Sequence, residues 1–146
     1  MNQNLIFWPA IAQAALTLLV AVRMYLVRVA EMRERRVRPQ LMATRREAGE
    51  ALRNTAAADN FSNLFELPVL FFAICPALAI TGLVTPAQLG LAWAFVALRA
   101  AHSTIHVTYN RVMHRFQVYV LGMVCVFAMW GLFAAQLWSA GGRAAP

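Results

Sequence analysis

Four stretches of the chain stay apolar for long enough to cross a bilayer, a distance that takes about 20 helical residues. They run from Leu5 to about Val27, from Phe61 to Val84, from Pro86 to about Val107, and from about Phe116 to Ser139. The first is interrupted only by Gln13 and Arg23, the second contains Glu66, and the third carries Arg99, His102 and His106 in its second half. None alternates strictly, which excludes the strands of a barrel. A spanning segment must satisfy its own backbone, so each run is predicted to be a helix. The expected fold class is therefore all-α: a four-transmembrane-helix bundle forming one domain over residues 1–146, with residues 28–60 as a long connection.

Composition agrees and adds orientation. The 146 residues are 61% hydrophobic and 13% charged, with a mean hydropathy of +0.57, which excludes a disordered chain. The net charge of +7 comes from thirteen arginines, no lysine and six acids. Eight of the arginines lie between Arg28 and Arg53, so the charge is local and does not point to nucleic acid. Arg111 and Arg115 precede the fourth run, whereas residues 1–4 and the turn at 84–90 hold no arginine. The positive-inside rule then places both arginine-bearing connections in the cytoplasm and both termini outside, in the inner membrane if the cell is bacterial. No basic residue precedes Leu5, so the first segment is expected to be retained rather than cleaved as a signal peptide. Glu31/Arg35 and Glu34/Arg38, each four apart, suit a helix that continues the first span, with Pro39 ending or kinking it. From Thr44 to Ala58 the composition again favours helix. Cys75 and Cys125 lie deep in separate apolar runs and have no metal-ligand or CxxC spacing. Trp8, Trp93, Trp130 and Trp138 read as packing residues or interface anchors.

Ionisable groups inside the spans carry the chemistry. A charge at mid-bilayer costs about 3 kcal/mol or more, so it turns toward the bundle interior or a watery cavity. Asp59, Asn63 and Glu66 are spaced i, i+4, i+7 and share one helical face, with Ser62 beside them and Pro68 close behind to loosen the backbone ladder. Arg99, His102 and His106 form a second stripe, and Arg111, Arg115 and Tyr119 a third. All three lie at the same end of their spans. Together they predict a polar pocket open to the cytoplasm, suited by its guanidinium groups to an anionic ligand or an ionised thiolate. The plainer alternative has Glu66 pairing with Arg99 to bind two helices, with Arg111 and Arg115 as ordinary flanking charges.

The ordered set Asn63-Leu-Phe-Glu66-Leu-Pro68, Arg99-Ala-Ala-His102, then Arg111, Arg115 and Tyr119, preceded by Arg23-Met-Tyr25, resembles the MAPEG superfamily. These are the membrane-associated proteins of eicosanoid and glutathione metabolism, and the likeness is to the microsomal prostaglandin E synthase and glutathione transferase group. The resemblance implies a left-handed four-helix protomer assembled as a homotrimer, with glutathione lying between neighbouring protomers near the cytoplasmic face. It implies that Asn63, Glu66, His102 and Tyr119 help hold glutathione, that Arg115 stabilises the thiolate, and that Arg35 reaches glutathione from the neighbour. This chain departs from the pattern where Ser62 and Asp59 replace arginines, His106 a tyrosine, and Phe116 a serine. Prostaglandin synthase activity is therefore not expected. Tyr109, two residues before Arg111, offers a phenol in compensation.

The expected function is a glutathione-dependent transferase or peroxidase acting on a lipophilic electrophile delivered from the bilayer. Arg115 is the expected catalytic residue, and Arg99, His106, Tyr109 and Arg111 are supporting candidates. The competing reading is a non-catalytic lipid- or ligand-binding membrane protein on the same scaffold. A proton or ion path along His102 and His106 is a third, disfavoured by four spans and no internal repeat.

Overall fold

In the computed structural model, which describes residues 1–36 and 56–141, the chain enters its first helix through a tight 3-10 turn, Gln3–Ile6. Asn2 caps it, its side-chain oxygen accepting the Asn4 N–H at 3.0 Å. Helix α1 then runs without a break over Phe7–Arg35. Its 29 residues make a rod of about 43 Å, longer than the hydrocarbon layer of about 30 Å, so its last turns extend beyond the apolar slab. Arg33 and Arg35 sit in the last turn, where positive charge complements the helix dipole. Arg36 closes the helix in the left-handed conformation. The expected Glu31–Arg35 pair forms at 3.5 Å, while Arg38, Pro39 and the helix expected from Thr44 lie outside the described residues up to 55.

The second apolar run is two helices rather than one. Helix α2, Ala56–Asn63, ends three residues before α3, Leu67–Thr81. Pro68 explains the break: it has no N–H to give the Leu64 carbonyl, and its ring crowds that position. At the start of α3 the same proline is harmless, because first-turn N–H groups have no helical partner anyway. Gly82 ends α3 at φ 71°, a conformation that glycine enters without strain, and Leu83 donates back to the Leu78 carbonyl. Thr85 then caps helix α4, Pro86–Val107, accepting the Gln88 N–H. A turn through Asn110, also left-handed at φ 48°, leads into helix α5, Val112–Gly141.

The helices are antiparallel neighbours around one apolar core. Phe71 of α3 and Phe95 of α4 meet at 4.6 Å between ring centres, enclosed by Ile6, Ile74, Leu78, Ala92, Val126 and Met129. Two polar ties secure this end. Gln3 accepts the Val84 N–H at 2.8 Å, and Gln88 donates to the Met129 carbonyl at 3.2 Å. Trp130 also donates across helices, to the Leu70 carbonyl, so it packs the bundle, while Trp8 and Trp138 are exposed.

Among the described residues, three segments are long and apolar enough to cross a membrane: Gln3–Arg35, Ala58–Thr81 and Val112–Ala140. Helix α4 has the length but is less apolar, because Gln88, Arg99, His102 and His106 interrupt it. All four of those residues are buried, so the polar face of α4 turns into the bundle. Leu18, Leu19, Leu26, Leu121, Val124 and Phe127 face outward, as an apolar environment requires. With α2 and α3 counted as one interrupted run, the described residues form an all-α, four-helix bundle of an integral membrane protein.

Candidate functional site

The break between α2 and α3 creates the first element of the site. A continuous helix would use the Asn63 carbonyl in its own ladder; here Arg99 of α4 takes it, donating from Nη2 at 2.7 Å. Arg99 is 1% exposed, and its Nε and Nη1 have no hydrogen-bond partner. Its guanidinium carbon stands 5.8 Å from the ring centre of Tyr119, within cation–π range. The helix-gluing pair of the plainer alternative is not formed: Glu66 is exposed at the start of α3, and Arg99 is committed to the Asn63 backbone.

One turn along α4, His102 places Nδ1 at 3.2 Å from the Arg115 carbonyl. A carbonyl only accepts, so Nδ1 carries a proton, and in the neutral ring Nε2 holds a lone pair. That Nε2 is buried without a partner. His106, a further turn on, meets the Arg115 side chain, with Nη1 at 2.7 Å from His106 Nε2. The same Nη1 donates to Asn110 Oδ1 at 2.8 Å.

These contacts surround a cavity of about 270 Å³ lined by Asn63, Glu66, His102, Arg115 and Tyr119, with Val112 and Phe116. The five polar residues come from three chain segments: the α2–α3 junction, α4 and α5. Phe116 and Val112, both largely exposed, give the cavity an apolar margin.

Other sequence candidates go elsewhere. Tyr109 is exposed and its hydroxyl lies 3.2 Å from Nδ1 of His114, so it braces the α4–α5 turn and does not line the cavity. Arg111 is exposed ahead of α5, and Arg35 pairs with Glu31 on its own helix. Ser62 is half-buried and Asp59 exposed, and neither lines the cavity.

The polar interior is larger than the stripes predicted. Asn60 is fully buried with both amide atoms unpartnered, and so is Gln13 in α1; Ser103 is 5% exposed with its hydroxyl unpartnered. Asn60 lies one turn before Asn63 and beside Asp59, and Ser103 one turn after Arg99 and beside His102, so widening each stripe by one residue finds both. Asn110 had no such signal, because its role depends on the turn. Cys75 and Cys125 are free thiols.

No curated protein and no solved structure matches the chain. The family model of the MAPEG family does, over residues 6–135, a match that takes in the α2–α3 junction, all of α4 and the cavity-lining part of α5. With that match across most of its length, the chain belongs to the MAPEG family.

Proposed function

We propose that this protein is a glutathione-dependent transferase or peroxidase acting on a lipophilic electrophile. One observation carries the reading: Asn63, Glu66, His102, Arg115 and Tyr119, drawn from three segments, line a single cavity. MAPEG members include glutathione transferases and synthases, and the lining suits glutathione chemically. Arg115 offers a guanidinium to a thiolate, Glu66 a carboxylate to an ammonium group, and the open Nε2 of His102 an acceptor for a ligand N–H. Asn63 and Tyr119 add an amide and a phenol for orientation.

The reaction follows from this placement. A guanidinium beside the sulfur favours the thiolate, which is the nucleophile. The cavity holds the sulfur in place, so the encounter with the electrophile gains from positioning as well as from ionisation. The apolar co-substrate dissolves in the bilayer and reaches the sulfur past Phe116 and Val112. Assembly is proposed as a homotrimer, with Arg35 of each copy directed to a neighbour's cavity, α4 as the fourth span, and both termini on the non-cytoplasmic side.

The departures at Ser62 and Asp59 favour a second reading, a ligand-binding membrane protein without catalysis. Conjugation of glutathione to a general electrophile separates the two. Arg115→Ala is expected to lose rate; equal rates for variant and wild type sink the assignment. Absence of glutathione binding at millimolar concentration, by calorimetry, supports the second reading.

A further inference from the structure

Arg115 is gripped from two sides and at two levels. Its carbonyl accepts from His102 Nδ1, and its side chain donates from Nη1 to both His106 Nε2 and Asn110 Oδ1. His102 and His106 are one turn apart on α4, so a single helix face holds both the backbone and the guanidinium of a residue on α5. A guanidinium has only donors, so His106 accepts as a neutral ring with its proton on Nδ1. Both side-chain contacts fall on Nη1. Among the described residues no hydrogen bond reaches the Nε and Nη2 edge, and Arg115 is part of the cavity wall.

Asn110 is suited to this grip by its backbone. At φ 48° it adopts a conformation that asparagine tolerates better than most residues, and its N–H is tied to the Ile105 carbonyl at 2.9 Å. The turn is braced further by Thr108, which donates to the Thr104 carbonyl, and by the Tyr109–His114 contact. Oδ1 is thereby presented to Arg115 five residues on.

We propose that His106 and Asn110 are positioning residues: they fix Nη1 of Arg115 so that its remaining edge meets an anionic sulfur in the cavity. This rests on the glutathione reading above. A free arginine side chain samples many rotamers, and a held one meets the developing charge without reorganising. Neither residue touches the ligand in this scheme; each acts through Arg115.

The test uses the purified 146-residue protein and five variants, four of them at Asn110 and His106. Asn110→Gly keeps the positive φ and removes the acceptor, whereas Asn110→Asp keeps an acceptor. His106→Phe fills the ring space without an acceptor, whereas His106→Gln presents an amide oxygen near the position of Nε2. Bound glutathione thiolate is read by its ultraviolet absorbance, and S-methylglutathione, which has no thiol to ionise, reports binding alone. Expected are a thiolate fraction lower by about tenfold in the Gly and Phe variants, recovery in the Gln variant, partial recovery in the Asp variant because its carboxylate offsets part of the guanidinium charge, and S-methylglutathione affinity within about twofold throughout. A wild-type thiolate fraction in both the Gly and Phe variants overturns the proposal. If the wild type does not bind S-methylglutathione, the glutathione reading fails, and nitrogen-15 NMR of the histidines decides the grip by itself. A lone pair at His106 Nε2 whose resonance moves in Arg115→Leu supports it; an unmoved resonance overturns it.

Discussion

Phe71 and Arg99 are almost equally hidden, at 0% and 1% exposure, yet opposite kinds of force hold them. Phe71 sits against Phe95 among Ile74, Leu78 and Met129, where contact is close and non-directional. Helices in a bilayer gain little from transferring apolar surface between lipid and protein, so that end relies on shape fit and dispersion. Arg99 is held by one directed bond to the Asn63 carbonyl, with a ring face nearby and two nitrogens open. His102 likewise reaches a backbone carbonyl, that of Arg115. The apolar end tolerates no gap but asks little of direction. The polar end leaves groups unpaired and depends on direction, which is the arrangement a ligand can use.

The comparison breaks if substitutions at the two ends have the same kind of effect. The largest change is expected at Arg115. Its replacement by alanine should lower conjugation turnover by about 100-fold or more, the scale for losing one group that stabilises developing charge. Thermal unfolding of the same variant should move little, because Arg115 is only half-buried. A large drop in melting temperature with turnover preserved would put Arg115 with the core instead. Phe95→Ala should show the reverse pattern. It opens a cavity beside Phe71 and should destabilise by about 3 kcal/mol, with S-methylglutathione affinity of the folded fraction unchanged. Altered affinity there would show that the two ends are coupled.

Smaller changes sharpen the boundary. Gln88→Leu removes the bond to the Met129 carbonyl, and denaturant titration should find a loss of about 1 kcal/mol with no effect on turnover. Gly122 packs against the Phe95 ring, and an added methyl would meet it at 3.7 Å, an ordinary contact. Gly122→Ala should therefore be neutral or stabilise by up to about 1 kcal/mol through helix propensity. A marked destabilisation would mean that the ring of Phe95 is packed more tightly than this spacing shows.

Much of the fold was legible in the apolar runs, because a spanning helix leaves a long and simple pattern. The break at residues 64–66 was partly legible: Pro68 announced a loosened backbone, and only the structure shows two helices with the freed Asn63 carbonyl passed to Arg99. The candidate site is legible as stripes. Asn63, Glu66, His102, Arg115 and Tyr119 were identified from helical spacing and family resemblance, and they line one cavity. Tyr109 shows the limit of that reading, since it sits beside the stripe in sequence and turns to His114. Asn60 and Ser103 show the converse, buried polar residues that lie beside Asp59 and His102 and widen the stripes.

By itself, then, the sequence determined the helices, the membrane environment and the helical faces that carry polar groups. Those follow from local periodicity and from the cost of leaving a charge in hydrocarbon. Which polar group meets which is set by the packing of the helices. Partnership depends on how α4 packs against α2 and α5 and on the left-handed turn at Asn110, and neither leaves a periodic trace. Hence His106 reads from sequence as one more residue on a stripe, and becomes the acceptor for Arg115 only once the two helices are folded together.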